Sequence, residues 1–232
     1  MTWEYASEER LAKRNAAYRT LVDGPNAEDI AFEAVAEVQP RRVLEVGCGI
    51  GDFAVRVKTE LDPEEFVAID LSPRMVELTA ARGIDARVGD VQALAFDDES
   101  FDCVIAGWLL YHVPALEQAI LECRRVLRPG GTLVAGTLGT DNFHDLWEML
   151  GDSSRDQLSF CRENGLEVLS TYFEHVEMRD AQAMVVFPDS EAMRQLVAVN
   201  ITHAHLADRV PEFSEPVSVR YSHAVFVARK AG

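Results

Sequence analysis

Val43-Leu44-Glu45-Val46-Gly47-Cys48-Gly49-Ile50-Gly51 is the stretch whose reading decides the fold. Val43 to Val46 is a short apolar run of strand type. Gly47 to Gly51 is a tight turn, and Phe53, Val57 and Leu61 then mark one face of a helix. Glycines in such a turn tolerate positive φ and let a ligand approach the backbone closely. The turn lies beyond the carboxyl end of a strand, where open α/β sheets bind cofactors.

The same rhythm continues on the C-terminal side. Phe66 to Ile69 reads as a second strand ending at Asp70, nineteen residues after Gly51. Ser72-Pro73 is a strong helix start, with Ser at the N-cap and Pro at the first helical position. Gly83 closes that helix. Ala86 to Val88 and Asp102 to Ala106 are the third and fourth strands. Leu116, Ala119, Ile120, Cys123, Val126 and Leu127 line a helix that is expected to stop at Arg128-Pro129-Gly130-Gly131, before a fifth strand from Thr132 to Leu138. Strands alternating with helices imply βαβ units and a mainly parallel sheet covered on both faces.

On the N-terminal side, residues 1 to about 40 read as helical. Leu11, Arg14, Tyr18, Leu21 and Val22 recur at helical spacing. Asp23 to Asn26 is a break, and Ile30, Ala34, Val35 and Val38 share the next helix face. Residues 141–165 read as polar and helical, Val168–Phe173 and Met184–Phe187 as strands, with a helix after Pro188 and a last alternating strand from Val217 to Val227. The whole of 1–232 is read as one domain: a helical N-terminal cap (1–40), a cofactor-binding core (41–138), a substrate-side elaboration (139–216) and a last strand (217–229).

Composition narrows the function. The 232 residues are 48% hydrophobic and 26% charged, ordinary for a globular protein and unlike a disordered chain. No apolar run approaches the ~18 residues of a membrane span, and Met1 to Tyr5 shows no secretory leader, so the expectation is a cytoplasmic protein with no membrane partner. The net charge of -17 argues against duplex nucleic acid, whose binders cluster Lys and Arg. Cys48, Cys103, Cys123 and Cys161 form no C-x-x-C pair and match neither a zinc site nor a disulfide framework. No metal is expected. Asp97, Asp98 and Glu99 read as a solvated acidic turn.

The glycines alone leave the ligand open, because Gly49-x-Gly51-x-x-Ala54 also satisfies a dinucleotide pattern. A nicotinamide-dependent oxidoreductase is therefore an alternative, and a non-catalytic scaffold with this fold is another. Three features point elsewhere. Glu45 stands two residues before the first glycine, where a carboxylate repels a pyrophosphate but can serve an ammonium group. Gly89-Asp90-Val91 follows the third strand. Phe101-Asp102-Cys103-Val104-Ile105-Ala106 and Leu127-Arg128-Pro129-Gly130-Gly131-Thr132 follow in order. Together these resemble the class I S-adenosylmethionine-dependent methyltransferases, in particular the small-molecule group, over roughly residues 40–138.

That resemblance implies a Rossmann-like, doubly wound, seven-stranded sheet, mostly parallel with an antiparallel last strand, and a cofactor that leaves as S-adenosylhomocysteine. It implies that Glu45 and the Gly47-Cys48-Gly49 turn lie against the methionine moiety, that Asp70 holds the ribose hydroxyls, and that Leu71 and Met75 flank the adenine. Asp90 would accept from the adenine amino group and the Val91 N–H would meet a ring nitrogen. Ala106 and Gly107 would offer backbone contacts, although Ala106 stands where a polar side chain is common in the family.

The acceptor is expected to be a small molecule. Trp108, Tyr111 and His112 follow the fourth strand and would face the transferred methyl group. His112 is the candidate base or substrate contact, with a loop-capping histidine as the alternative. Core packing is the alternative for Trp108 and Tyr111. His144 and Trp147, just after the fifth strand, are further pocket candidates, as is Tyr18, which with Trp3 and Tyr5 suits either an aromatic lid over the cofactor or a helix stripe packed on the core. His203 and His205 are i, i+2 and would point apart on a helix. The Asn/Asp-Pro-Pro-Tyr/Phe motif of many base-amino methyltransferases is absent, and Ala106-Gly107-Trp108-Leu109 stands in its place.

Overall fold

The computed structural model describes residues 8–153, 158–200 and 202–232. In chain order the elements are α1 (Glu8–Leu21), β1 (Val22–Asp23), α2 (Ala27–Val38), β2 (Arg42–Val46), α3 (Asp52–Leu61), β3 (Glu65–Asp70), α4 (Pro73–Ala80), β4 (Asp85–Val88), β5 (Phe101–Gly107), α5 (Leu116–Val126), β6 (Leu127–Leu138), α6 (His144–Met149), α7 (Gly165–Ser170), β7 (His175–Phe187), α8 (Ser190–Val199) and β8 (Val217–Arg229). Short 3-10 turns cover Leu110–His112 and Ala204–Arg209.

The strands are hydrogen-bonded in the order β1-β7-β8-β6-β5-β2-β3-β4. β4, β3, β2, β5 and β6 are parallel, and β8 runs antiparallel to β6 from Thr132↔Arg229 to Leu138↔His223. The chain is thus the expected α/β fold, with eight strands among the described residues where seven were expected. The additional strand is β1, two residues that pair with Val185 and Met184 of β7. Val22 continues the helical spacing of α1 in sequence, but this non-local pairing ends the helix at Leu21.

The chain gathers into two compact units. The larger comprises Ala27–Gly139, Gln157–Ala181 and His223–Gly232. Its strands alternate with period two and bury both faces. Leu44, Val46, Val67, Ile69, Val104, Ala106, Leu133 and Ala135 pack with Ala119, Ile120, Cys123 and Val126 of α5. The intervening Val43, Phe66, Ala68, Cys103, Ile105 and Val134 pack with Ala31, Ala34 and Val35 of α2 and with Ala54 and Val57 of α3. Asp102, buried at the amino end of β5, accepts from the Arg41 and Arg42 N–H groups at 2.7 and 2.9 Å and pairs with Arg128 at 2.7 Å. It ties the amino end of β5 to the start of β2 and to β6.

The smaller unit comprises Met1–Asn26, Thr140–Asp156 and Gln182–Ser222. It holds α1, β1, α6 and α8, and α8 starts on a side-chain cap, Asp189 accepting from the Ala192 N–H at 2.8 Å.

Several expectations need correction. The helix expected to include Leu127 ends at Val126, and Leu127 opens β6 opposite Phe101. The Arg128–Gly131 breaker is an excursion within β6, across which the pairing jumps to Cys103↔Thr132. Residues 141–165 are not one polar helix: among the described residues there, α6 ends at Met149 and α7 begins only at Gly165, and Phe143, Leu146, Trp147, Leu150, Phe160 and Cys161 are buried. Val168–Phe173 is not a strand. Gly165–Ser170 is helical because Leu169 and Phe173, four apart, both enter the core. Among the described residues no helix is long and apolar enough to cross a membrane, and no group of three or more metal-ligating side chains is present.

Candidate functional site

The carboxyl ends of β2 and β3 bring the glycine turn against Asp70. Gly47, Gly49 and Gly51 all have positive φ, at 75°, 54° and 79°. At Gly47 a Cβ would lie 2.8 Å from a Leu109 methyl, and at Gly51 one would lie 2.7 Å from Thr79 Oγ1. Glycine is therefore required at both for conformation and for room. The Gly47 and Cys48 N–H groups donate to Ile69 O at 2.8 and 3.1 Å, and the Gly51 N–H donates to Cys48 O at 3.0 Å.

Asp70 is buried where β3 ends. Its Oδ2 accepts from the Gly49 N–H at 3.0 Å and its Oδ1 from the Ser72 N–H at 2.9 Å. Burial raises its pKa, and these two N–H groups oppose the rise. A carboxylate has about four acceptor sites, so two bonds from the protein leave capacity for a diol.

Glu45 is the exceptional group. It is 4% exposed, and its Oε2 is buried without a hydrogen-bond partner. Strand alternation points Glu45 to the same face as Val43, the face covered by α2 and α3. Burial pushes its carboxyl up to about 8, and the negative charges of Asp70 and Glu28 add to the rise. An unpartnered buried carboxyl costs free energy that a cationic N–H donor would recover.

The turn is poorly suited to a pyrophosphate. The N–H groups of Gly47, Cys48, Gly49 and Gly51 donate within the protein, and Asp52 places a carboxylate in the first turn of α3. An anion there meets negative charge and few free donors. The donor set instead fits an adenosyl group bearing an amine: a buried carboxyl without a partner and, at the neighbouring strand tip, a carboxylate with acceptor capacity left.

The other expected cofactor residues lie around this centre. Leu71 is 64% exposed beside Asp70, whereas Met75, one turn into α4, is buried. Asp90 Oδ1 accepts from the Gln92 N–H at 2.8 Å, and both of its oxygens accept from the Gln92 side-chain amide at 3.0 and 3.1 Å. An adenine amino group would have to share this carboxylate with Gln92. Val91 is buried. Ala106 and Gly107 end β5 opposite Ala135 and Gly136. The Cys48 thiol is pushed up to about 12 by burial and by Glu45, which makes it packing and not a nucleophile.

Sequence reasoning missed three supports. Thr79 Oγ1 donates to Gly49 O at 3.0 Å. Its signal was available, since Thr79 stands one helical turn after Met75. Arg82 donates to Ile50 O at 2.9 Å and pairs with Asp52 at 2.7 Å. The third is His223. Trp108, with φ 54°, donates its indole N–H to His223 Nδ1 at 3.1 Å. An indole nitrogen is a donor only, so neutral His223 carries its proton on Nε2. No local pattern announces this link across 115 residues.

Tyr111 and His112 lie in the 3-10 turn after β5, with ring centroids 4.2 Å apart, and the His112 N–H donates to Leu109 O at 2.8 Å. His144 and Trp147 are on α6 in the smaller unit, where Trp147 is buried against His203. His205 is exposed whereas His203 is buried, so the two point apart. Tyr18 is on α1 with its side chain outside the described residues, as are Trp3 and Tyr5 entirely.

Residues 44–135 match the sequence profile of the family described as "Methyltransferase domain". The phthiotriol/phenolphthiotriol dimycocerosates methyltransferase of Mycobacterium leprae is 37% identical over 133 residues, covering 56% of this chain and 49% of that one. The demethylmenaquinone methyltransferase of Deinococcus radiodurans is 38% identical over 110 residues, covering 45% of each. The chain thus spans about half the length of these curated relatives. In fold it is similar to the crystal structure of an S-adenosylmethionine-dependent methyltransferase, possibly a histamine N-methyltransferase, from Thermotoga maritima. The TM-score is 0.59 at 20% identity, with 96% of this chain and 94% of that one covered. The glycine turn, Asp70 and Asp90 all fall inside the matched segment, so that over residues 44–135 the chain carries the methyltransferase domain that this profile describes.

Proposed function

We propose that the chain transfers a methyl group from S-adenosylmethionine to a small-molecule acceptor. The observation that carries this reading is the buried, unpartnered Glu45 Oε2 at the end of β2, beside the glycine turn and Asp70. When bound, the cofactor supplies a methyl group already activated on a sulfonium.

In this reading Glu45 accepts from the ammonium group of the methionine moiety. Asp70 accepts from the ribose hydroxyls while the Gly49 and Ser72 N–H groups hold its carboxylate in place. Leu71 and Met75 cover the adenine, and Asp90 and Val91 meet its edge. The Gly47-Cys48-Gly49 backbone, with Ala106 and Gly107, lies along the methionine end. Alignment of donor and acceptor then does most of the work, as a proximity effect. Trp108 and Tyr111 are proposed to face the acceptor, with His112 as the candidate proton acceptor where the nucleophile holds its proton. The names of the relatives, which refer to a menaquinone precursor and to a lipid, support a small, apolar acceptor.

The test is incubation of the purified chain with S-adenosylmethionine and panels of quinols, lipid alcohols, carboxylic acids and amines, with S-adenosylhomocysteine as the readout. Acceptor-dependent release with a matching methylated product is expected. Cofactor binding with no turnover on any acceptor supports the scaffold alternative, and binding of NADH alone overturns the assignment.

A further inference from the structure

The loop between β4 and β5 carries Asp90, and the Gln92 side chain joins that carboxylate to α5. The Gln92 N–H donates to Asp90 Oδ1 at 2.8 Å, and its amide nitrogen Nε2 donates to Oδ1 at 3.0 Å and to Oδ2 at 3.1 Å. Its amide oxygen Oε1 accepts from the Ala115 N–H at 3.1 Å. A carboxylate accepts and a backbone N–H donates, so the amide has one possible orientation.

The same loop is fastened along α5. Ala115, the N-cap of α5, has no side-chain cap. In a capping box the residue at N3 would accept from the N-cap N–H. Here Gln92 makes that bond from outside the helix, and Gln118, at N3, donates instead to Gln92 O at 2.7 Å. Farther along, the Leu94 N–H donates to Glu122 Oε2 at 2.8 Å. Arg125 donates to Leu94 O at 2.9 Å and to Phe96 O at 2.8 Å. Gln118, Glu122 and Arg125 recur at helical spacing and meet Gln92, Leu94 and Phe96, alternate residues of the loop. Gln92 is the member of this frame that touches the Asp90 carboxylate.

We infer that Gln92 is a positioning residue for adenine recognition: anchored on α5, it holds the Asp90 carboxylate so that Oδ2 accepts from an exocyclic amino group and rejects a carbonyl at the same place. The inference rests on the proposed reading of Asp90 as the adenine acceptor. A carboxylate has about four acceptor sites. Gln92 occupies two on Oδ1 and one on Oδ2, which leaves capacity on Oδ2. A carboxylate able to turn away would tolerate a carbonyl. One pinned by the Gln92 N–H and amide keeps a lone pair aimed at the carbonyl lone pairs, and a site built for an N–H discriminates strongly against a ligand without it.

The test is calorimetric titration of the full chain with S-adenosylhomocysteine and with S-inosylhomocysteine, which has a carbonyl in place of the adenine amino group. The wild type is expected to prefer the adenosyl ligand about tenfold to 100-fold, and Asp90→Ala to lose most of that preference. Gln92→Met, with similar bulk and no amide, is expected to shrink it about threefold to tenfold. Loosening of the loop alone weakens both ligands equally. A preference unchanged in Gln92→Met but lost in Asp90→Ala therefore overturns the role of Gln92 and leaves the adenine contact standing. A wild type that binds both ligands alike or neither, or a preference that survives Asp90→Ala, overturns the contact and the inference with it. If Gln92→Met fails to fold, proton–nitrogen NMR of the labelled wild type decides. The Gln92 side-chain amide signals are expected to shift on adding S-adenosylhomocysteine, and signals that stay in place overturn the inference.

Discussion

Glu45 and His203 are both buried titratable groups, and they are treated in opposite ways. His203 has an acceptor at each ring nitrogen and an aromatic face against it. Glu45 has an unpartnered oxygen and two further carboxylates, Asp70 and Glu28, acting on it. A group that serves packing is satisfied by its neighbours. A group left unsatisfied inside a strand, near its carboxyl end, costs free energy that the proposed ligand would recover. The contrast supports the proposal that the glycine-turn region binds a ligand, whereas the buried histidine of the smaller unit is packed by its own neighbours.

The largest expected effect breaks the binding region. Asp70→Ala removes the acceptor of the Gly49 and Ser72 N–H groups together with the proposed ribose contact. Charge-assisted bonds are worth about 1.5–3 kcal/mol each, so titration calorimetry is expected to show S-adenosylhomocysteine affinity falling roughly 100-fold or more.

The second effect is a pH dependence. The Glu45 carboxyl lies at about 8 in the folded chain, above its ordinary 4.5. Between these values the native state holds a proton that the unfolded state has lost. This group's contribution to the stability of the ligand-free protein therefore falls as pH rises through that window. Binding an ammonium group needs the carboxylate, so affinity should rise about tenfold per pH unit below 8 and then level off. About one proton should be released on binding at pH 7, read as a buffer-dependent heat. Glu45→Gln should flatten both profiles and weaken binding roughly 10- to 100-fold. A flat wild-type profile removes Glu45 from the amine site.

Asn200→Ala sharpens the contrast from the other side. It removes the acceptor of the Thr202 and His203 N–H groups, and thermal unfolding is expected to show a loss of about 1–2 kcal/mol, with cofactor affinity unchanged. The smallest effect is expected at Leu71. It is exposed in the free chain, so Leu71→Ala should shift stability by no more than about 0.5 kcal/mol and weaken binding by about threefold to tenfold through lost apolar cover.

The two regions also differ in how far the sequence revealed them. In residues 40–138 each element carries a local signal. Ser72-Pro73 starts α4, and Ser72 Oγ accepts from the Met75 N–H at 3.4 Å. Apolar alternation marks β2, β3 and β5, and the glycine turn with Asp70 follows from spacing. Asp102 shows the limit even there, because its partners, the adjacent Arg41 and Arg42 and the distant Arg128, come from two separate places in the chain. Beyond residue 138 the determinants are non-local. Trp147 looks like a pocket aromatic until His203 is seen stacked on it, and Val168–Phe173 has strand-forming residues but buries Leu169 and Phe173 from a helical turn. β1 exists only because β7 is beside it.

The most direct test is calorimetric titration of the wild-type chain and of Asp70→Ala with S-adenosylhomocysteine and with NADH. Binding of the sulfur ligand alone, lost in Asp70→Ala, is the expected result and assigns the turn, Asp70 and Glu45 to one cofactor site. NADH binding without S-adenosylhomocysteine binding, or S-adenosylhomocysteine binding that survives Asp70→Ala undiminished, would contradict it.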